Sequence, residues 1–206
     1  MKRAEYNVDK MYTYLKGYVY GANYVNSINA LGYAREKHAG QMREDGVTPY
    51  LIHPLQMACY AVALGIKDDV IIAIILLHDV CEDCAVTIDE LPVSEEVKEG
   101  VRYMTLKYVN GEDKASAKLR YNHNLLQCRR ALIAKAIDKY MNLRTMVGVF
   151  DDARIRKNVR EADALLEILK EGKEKYKNDS DILYVLRENI RGINENLAII
   201  YHVYDE

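Results

Sequence analysis

The spacing of apolar residues constrains the fold most, because these residues recur at steps of three and four along almost the whole chain. Such steps place side chains on one face of an α-helix, whereas strands need period-two alternation, which no stretch sustains. Three prolines and eleven glycines leave long stretches of the 206 residues uninterrupted. We therefore predict an all-α fold. The predicted helices lie at about 5–20, 23–40, 53–64, 67–83, 94–107, 114–131, 131–147, 152–171 and 180–202.

Composition and charge exclude several classes of protein. Half of the residues are hydrophobic, so a chain of this length can bury a core. The 29 basic and 31 acidic residues give a net charge of −2, which offers no global electrostatic case for nucleic-acid binding. Residues 1–10 lack the apolar core of a signal peptide, and the longest apolar run, at 70–77, is too short to span a bilayer. We expect a soluble, cytoplasmic protein that binds neither nucleic acid nor membrane.

The last predicted helix carries a narrow apolar stripe with heptad-like spacing. Its members are Leu183, Leu186, Ile190, Ile193, Leu197 and Ile200. We expect this stripe to pack on its own domain, against the apolar residues at 164–169. The alternative is a homodimer interface through the C-terminal helix.

Ionisable residues follow the most apolar run of the chain. The segment "VIIAIILL" at 70–77 leads directly into "HDVCEDC" at 78–84. On a continuous helix, His78 lies one turn from Glu82, and Asp79 lies one turn from Asp83. A single buried His is usually a hydrogen-bonded core residue, but four ionisable groups within six residues are hard to explain by packing alone. This cluster predicts one side of a functional cleft.

The same segment contains a C-x-x-C spacing, at Cys81 and Cys84, which is typical of zinc sites and redox pairs. A thiolate zinc site needs further cysteines or histidines, and Cys59 and Cys128 are isolated along the chain. A thioredoxin-like motif belongs in a βαβ unit, which a helical chain lacks. We therefore interpret both cysteines as small packing residues.

A metal site needs more ligands than the His-Asp doublet supplies. His53 lies in "PYLIHP", at a predicted helix start, and Asp138 lies in "AKAIDKYMNLRTM", four residues before Asn142 and close to Lys135 and Arg144. Two imidazole nitrogens with two carboxylates suit Mn²⁺, Fe²⁺ or Zn²⁺ better than Ca²⁺. Such a metal lowers the pKa of its bound water and polarises phosphorus, so the set favours phosphate chemistry.

The order His53, His78-Asp79, Asp138 resembles the H…HD…D signature of HD-domain metal-dependent phosphohydrolases. Three segments, "KHAGQMREDGVTPYLIHP", "LLHDVCED" and "AIDKYMNLRTM", are similar to the hydrolase domain of the RelA/SpoT family. This resemblance covers about residues 25–150. Three ordered blocks are far more specific than a lone His-Asp pair.

The resemblance implies an HD-domain helical bundle with additional C-terminal helices. We expect a single all-α domain over 1–206, with a hydrolase core at about 25–150 and a helical extension at about 151–206. No room is left for a synthetase domain, so the chain resembles a stand-alone small alarmone hydrolase.

The resemblance also implies an activity, namely Mn²⁺-dependent removal of the 3′-pyrophosphate of the stringent-response alarmones ppGpp and pppGpp. Fe²⁺ and Zn²⁺ remain alternative metals. Glu82 and Asp83 correspond to the pair that organises the attacking water and proton transfer. The implied metal ligands are His53, His78, Asp79 and Asp138.

The resemblance assigns further residues to the substrate, a guanine nucleotide alarmone or a related phosphorylated nucleotide. Arg43 corresponds to the Arg that stacks on the guanine base. Asn142 and Thr145 correspond to positions that contact the sugar and phosphate region. Lys135 and Arg144 lie in the same block, and we expect electrostatic roles for them.

Several positions depart from the family pattern. Glu44 replaces a common Lys, which removes a positive charge where an anionic nucleotide approaches. Lys139, Tyr140 and Met141 alter the third block, and Cys84 replaces a common Thr. Two alternatives therefore stay open: an HD-domain phosphatase that acts on NADPH or another nucleotide, and a non-enzymatic protein that binds alarmones or mediates assembly.

Overall fold

The computed structural model describes residues 7–205, which form ten α-helices and no strand. The all-α prediction is confirmed, although the start of the first predicted helix, at 5–6, lies outside the described residues. None of the described helices is both long and apolar enough to cross a bilayer. The helices are α1 Val8–Gly21, α2 Val25–Lys37, α3 Ile52–Ala63, α4 Asp69–Leu77, α5 Val80–Asp83, α6 Glu95–Met104, α7 Lys114–Leu125, α8 Arg129–Thr145, α9 Asp152–Lys175 and α10 Ser180–Ile200.

The described residues form two compact units. The N-terminal unit comprises residues 7–105 and contains α1 to α6, and the C-terminal unit comprises residues 106–205 and contains α7 to α10. The predicted single domain, with a core at about 25–150, stays a prediction.

Helix α4 is the centre of the N-terminal unit. All of its residues from 70 to 77 are buried, and it packs against α2, α3 and α6. The Asp68 carboxylate accepts hydrogen bonds from the backbone N–H groups of Val70 and Ile71 and so caps the helix. The Asp69 carboxylate accepts from the backbone N–H and hydroxyl of Ser27, at 2.8 and 2.6 Å. These bonds fix the start of α4, so its other end is held in a defined place.

One helix predicted at 67–83 is two helices in the structure. Helix α4 ends at Leu77, and α5 begins at Val80, so the prediction of a continuous helix is wrong at 78–79. The imidazole Nδ1 of His78 lies 2.8 Å from the carbonyl oxygen of Ile75. A continuous helix would pair that carbonyl with the N–H of Asp79. The side chain competes for the backbone acceptor, and the helix is interrupted.

The C-terminal unit is built on contacts of α10 with α8 and α9. The predicted stripe on α10 faces this packing, because Leu183, Leu186 and Ile190 are fully buried and Leu197 is nearly so. Only Ile200, 65% exposed, lies at the surface. The expectation that the stripe packs on its own domain is confirmed. A homodimer through this helix stays a prediction.

Helix α9 runs to Lys175, beyond the predicted end at 171. Gly172 lies just beyond the predicted end, but it is buried inside the observed helix. A Cβ atom at this position would lie 2.5 Å from Cδ2 of Leu132. The glycine therefore allows α9 and α8 to approach closely, and it does not terminate the helix.

The close packing of α6 on α4 gives a stability prediction. A Cβ atom on Gly100 would lie 2.1 Å from Cδ1 and 2.7 Å from Cγ1 of Ile74, which is fully buried. We expect Gly100→Ala to lower the free energy of unfolding by about 1–3 kcal/mol, because the buried side chain must leave its preferred rotamer. Urea denaturation measures this change.

Gly32→Ala is the matched control for this variant. Gly32 lies within α2, and a Cβ atom there meets nothing within 4 Å. We expect this substitution to raise the free energy of unfolding by about 0.5–1 kcal/mol, through the backbone entropy of glycine. Equal stability of the two variants would contradict the close approach at Gly100.

Candidate metal centre

His78 lies just beyond the buried helix α4 and is 4% exposed. Its Nδ1 faces the Ile75 carbonyl oxygen, which can only accept, so Nδ1 carries the hydrogen and donates it. The other ring nitrogen, Nε2, therefore carries a lone pair in the neutral imidazole. A hydrogen bond of this kind fixes the tautomer and the ring orientation of metal-binding histidines.

The carboxylate of Asp79 lies directly beside this lone pair. Its Oδ2 atom is 2.9 Å from Nε2 of His78 and 4.0 Å from Nε2 of His53. Two acceptors at 2.9 Å repel each other unless a positive charge lies between them, either a proton or a metal cation. This geometry fits a cation that binds to both residues.

His53 completes the cluster in the N-terminal unit. It lies in the first turn of α3, is buried, and has its ring centroid 5.4 Å from that of His78. Its backbone N–H donates to the Tyr50 carbonyl oxygen at 2.9 Å, so the preceding turn helps to place it. The structure thus brings together His53, His78 and Asp79. Two nitrogen donors and one carboxylate suit a first-row divalent metal.

Tyr50 is part of this cluster, although sequence analysis did not identify it. Its hydroxyl donates to Oδ2 of Asp79 at 2.5 Å, and its ring stacks on that of His38, with the centroids 4.7 Å apart. Burial and the neighbouring Asp79 carboxylate raise the pKa of Tyr50 far above its usual range, so the hydroxyl stays a donor. The only sequence signal was its position three residues before His53.

Glu82 and Asp83 lie on α5, which begins directly after His78 and Asp79, and both side chains are exposed. Their backbone N–H groups donate to the Asp79 carbonyl oxygen at 3.1 and 2.9 Å. The short helix therefore ties these two carboxylates to the position of Asp79. Their proposed roles with water and protons stay predictions.

The cysteines of this segment do not have the properties of metal ligands. Burial raises the pKa of both the Cys81 and the Cys84 thiol, and it raises the pKa of Cys59 to about 11. Zinc binding and thiol exchange both use the thiolate, which a raised pKa disfavours. The interpretation of these cysteines as packing residues agrees with their environment.

Arg43 lies in the loop between α2 and α3. Its backbone N–H donates to the Thr48 carbonyl oxygen at 2.7 Å, and the Asp45 carboxylate accepts from the Thr48 N–H and hydroxyl at 2.8 and 2.6 Å. Gly46 has a φ of +71°, which the tight turn requires. The loop is therefore well defined, and the stacking role of Arg43 stays a prediction.

Asp138 lies on α8 in the C-terminal unit and is 4% exposed. Its Oδ2 accepts from Lys135 Nζ at 2.8 Å, and its Oδ1 accepts from Asn142 Nδ2 at 2.7 Å. The structure brings these three predicted residues together on one helix face. The positive charge of Lys135 compensates the buried carboxylate. That Asp138 supplies a further metal ligand stays a prediction.

Arg144 and Thr145 contact other residues of α8. The Arg144 guanidinium lies over the ring of Tyr140, 5.3 Å from its centroid, and 3.7 Å from Sδ of Met141. The Thr145 hydroxyl donates to the Met141 carbonyl oxygen at 3.1 Å. The predicted roles of Arg144 and Thr145 with the nucleotide stay predictions.

Lys139 forms an ion pair that sequence analysis missed. It is buried, its Nζ lies 3.7 Å from the Glu161 carboxylate of α9, and burial lowers its pKa. Burial by itself raises the pKa of Glu161, but the hydrogen bond from Lys118 and the charge of Lys139 outweigh it and lower that pKa. Lys139, one of the residues that depart from the family pattern, therefore links α8 to α9 through this ion pair.

Comparison with known proteins places the chain in a family. The family model described as "HD domain" matches residues 30–168, more than half of the chain. The chain belongs to the HD-domain family. This membership confirms the resemblance to HD-domain proteins.

Individual relatives point to one branch of this family. A guanosine-3′,5′-bis(diphosphate) 3′-pyrophosphohydrolase of Aquifex aeolicus is 34% identical over 143 residues, 64% of this chain and 19% of that protein. A GTP pyrophosphokinase rsh of Brucella suis is 33% identical over 135 residues, 60% of this chain and 17% of that protein. A second 3′-pyrophosphohydrolase, of Vibrio cholerae, is 31% identical over 130 residues, 60% of this chain and 18% of that protein.

These similarities confirm the resemblance to RelA/SpoT-type hydrolases. The chain spans less than a fifth of the length of these curated relatives. The matched part is therefore a domain of much larger proteins, and what those proteins do as a whole is not established for this chain by similarity.

The grouping of His53, His78 and Asp79 gives a prediction for the removal of the Asp79 carboxylate. We expect Asp79→Ala to lose bound Mn²⁺, because the remaining imidazoles lack the carboxylate that compensates the charge of the metal. Metal analysis after gel filtration measures the content, and circular dichroism checks the helical fold. Asp89→Ala is the matched control, because this carboxylate is strongly exposed and pairs with Arg102. Wild-type metal content in Asp79→Ala would contradict the ligand assignment.

Proposed function

We propose that this HD-domain protein is a metal-dependent phosphohydrolase that removes the 3′-pyrophosphate from ppGpp and pppGpp. The observation that carries the proposal is the convergence of His78 Nε2 and Asp79 Oδ2 beside His53, which fits a divalent cation. Similarity to relatives named 3′-pyrophosphohydrolases supports the choice of substrate.

Mn²⁺ is the metal that we propose, with Fe²⁺ and Zn²⁺ as alternatives. His53, His78 and Asp79 would hold it, with Asp138 as a further ligand. When bound, the metal supplies a Lewis acid for a phosphate oxygen and lowers the pKa of a water molecule. The orientation of the His78 ring supports this role, because its Nδ1 donates to the Ile75 carbonyl oxygen and its Nε2 faces the proposed metal position beside Asp79.

Glu82, with Asp83, orients the attacking water and accepts its proton. Both carboxylates are exposed on a short helix whose N–H groups bond to the Asp79 carbonyl, so they lie close to the ligand and remain accessible to solvent. A base in this position can pass its proton to bulk water after each turnover. The chemistry needs no organic cofactor.

The nucleotide is held by residues with planar or cationic groups. We propose that Arg43 stacks on the guanine base, because a guanidinium plane stacks well on aromatic rings. Lys135 and Arg144 offset the charge of the phosphates. Asn142 and Thr145 contact the sugar and phosphate region, although the Thr145 hydroxyl must first exchange its bond to the Met141 carbonyl before it can donate to a phosphate.

A second candidate function is a phosphatase that acts on NADPH or another nucleotide. Glu44 favours it, because this exposed carboxylate follows Arg43 directly and would repel a highly charged tetraphosphate more than a less charged nucleotide. The same metal ligands and the same proton acceptor would serve both reactions.

The assay that tests the proposal offers ppGpp, pppGpp and NADPH separately to the protein with Mn²⁺. We expect pyrophosphate release from both alarmones, because their 3′-diphosphate presents the oxygens that the metal and the cationic residues bind. Ion-exchange chromatography identifies the products, and Asp79→Ala is the inactive control. Orthophosphate from NADPH alone would support the second candidate. Tight ppGpp binding without any turnover would support a non-enzymatic alarmone sensor.

The proposed proton acceptor gives a separate prediction. We expect Glu82→Gln to retain Mn²⁺ but to lower kcat by about 10²–10⁴-fold, the usual contribution of a general base. Steady-state kinetics with metal analysis on the same sample measures both properties. Glu99→Gln, an exposed residue of α6, is the matched control. A kcat near that of the control would exclude Glu82 as the base.

A further inference from the structure

The loop between α2 and α3 folds back onto the segment that follows α4. Gln41 Nε2 donates to the Asp83 carbonyl oxygen at 3.3 Å, and Tyr50 donates to the Asp79 carboxylate. The backbone of the loop is closed on itself, since the Tyr50 N–H donates to the Gln41 carbonyl oxygen at 2.9 Å. Two of its side chains therefore contact the same short stretch of chain, 79–83, from one side.

His38, the residue directly after α2, is buried under this loop. Because the amide nitrogen of Gln41 donates to Asp83, its Oε1 is the acceptor that faces His38 Nδ1 at 2.7 Å. The hydrogen of His38 is thus on Nδ1. Its Nε2 is buried and has no hydrogen-bond partner among the described residues. Burying a nitrogen without a hydrogen-bond partner costs free energy, which an apolar side chain would avoid. The imidazole at this position therefore needs an explanation beyond packing.

The ring of His38 supports Tyr50. The two rings are stacked, with an interplanar angle of 29°, which restricts the Tyr50 ring on one face. The hydroxyl of Tyr50 then reaches Oδ2 of Asp79, the same oxygen that lies 2.9 Å from Nε2 of His78. The contacts form one series, from Gln41 through His38 and Tyr50 to the acceptor of the metal centre.

We propose that Tyr50 is a positioning residue for the metal ligand Asp79, and that His38 holds Tyr50 in place. The proposal rests on the metal-dependent function proposed above. The hydrogen bond keeps the Asp79 carboxylate in the rotamer that directs Oδ2 toward the two imidazoles, so less side-chain entropy is lost when a cation binds. Tyr50 itself contacts neither the metal nor the substrate in this role.

Tyr50→Phe tests the inference, because it removes the hydroxyl and keeps the ring that stacks on His38. We expect the affinity for Mn²⁺, measured by isothermal titration calorimetry on metal-free protein, to fall about 10–100-fold. Excess Mn²⁺ should restore most of the turnover, since the catalytic groups themselves are intact. The melting temperature of the metal-free protein should stay close to that of the wild type.

Tyr18→Phe is the matched control, because Tyr18 is a half-buried tyrosine of the same unit that packs edge-on against Tyr24. We expect wild-type Mn²⁺ affinity for this variant. His38→Leu is a second test that leaves Tyr50 unchanged, and we expect a smaller loss of affinity from it. The double variant of His38 and Tyr50 should bind Mn²⁺ no more weakly than Tyr50→Phe alone, because both act through the same hydrogen bond.

The outcomes separate the inference from the proposed function. If wild-type protein binds Mn²⁺ and Tyr50→Phe binds it equally well, the positioning role is overturned and the metal-dependent function stands. If wild-type protein binds no Mn²⁺, both are overturned. If Tyr50→Phe lowers the melting temperature and excess Mn²⁺ fails to restore turnover, Tyr50 has a structural role only, which also overturns the inference.

Discussion

The hydrogen bond from His78 Nδ1 to the Ile75 carbonyl is the interaction on which the candidate site depends. It takes the acceptor that would continue α4, and it leaves the Nε2 lone pair directed at the neighbouring carboxylate. The bond is defined because α4 is buried along its length and capped at its start by Asp68. The most apolar helix of the chain thus serves as a rigid support for its most polar segment, as precise metal sites require.

Periodicity predicted the helices well, because helix packing needs apolar faces and the chain has few breakers. It failed where a particular side-chain contact, and not the apolar spacing, determines the backbone conformation. The residues at 78–79 fit helical spacing, but the helix is interrupted there, where the His78 imidazole bonds to the Ile75 carbonyl oxygen. Gly172 is the opposite case, since a residue typical of loops lies within α9 to admit Leu132. The first effect is a local side-chain bond that apolar spacing does not encode, and the second depends on a tertiary contact.

The difference between features encoded in the spacing and features that depend on contacts also explains which site residues sequence analysis identified. His78 and Asp79 were recognisable because charge directly after an apolar run needs an explanation. Tyr50 was not, since one tyrosine among seventeen carries no signal until the fold places it on Asp79. The ion pair of Lys139 with Glu161 was missed for the same reason, because the partners belong to different helices.

The distribution of burial in the N-terminal unit bears on the choice between enzyme and sensor. The side chains of His53 and His78 are buried. Glu82 and Asp83, a few residues away, are exposed. In a protein that only binds an anionic nucleotide, two further negative charges beside the ligand would weaken binding. A hydrolase gains a proton acceptor that exchanges with solvent, so this arrangement favours catalysis over binding alone.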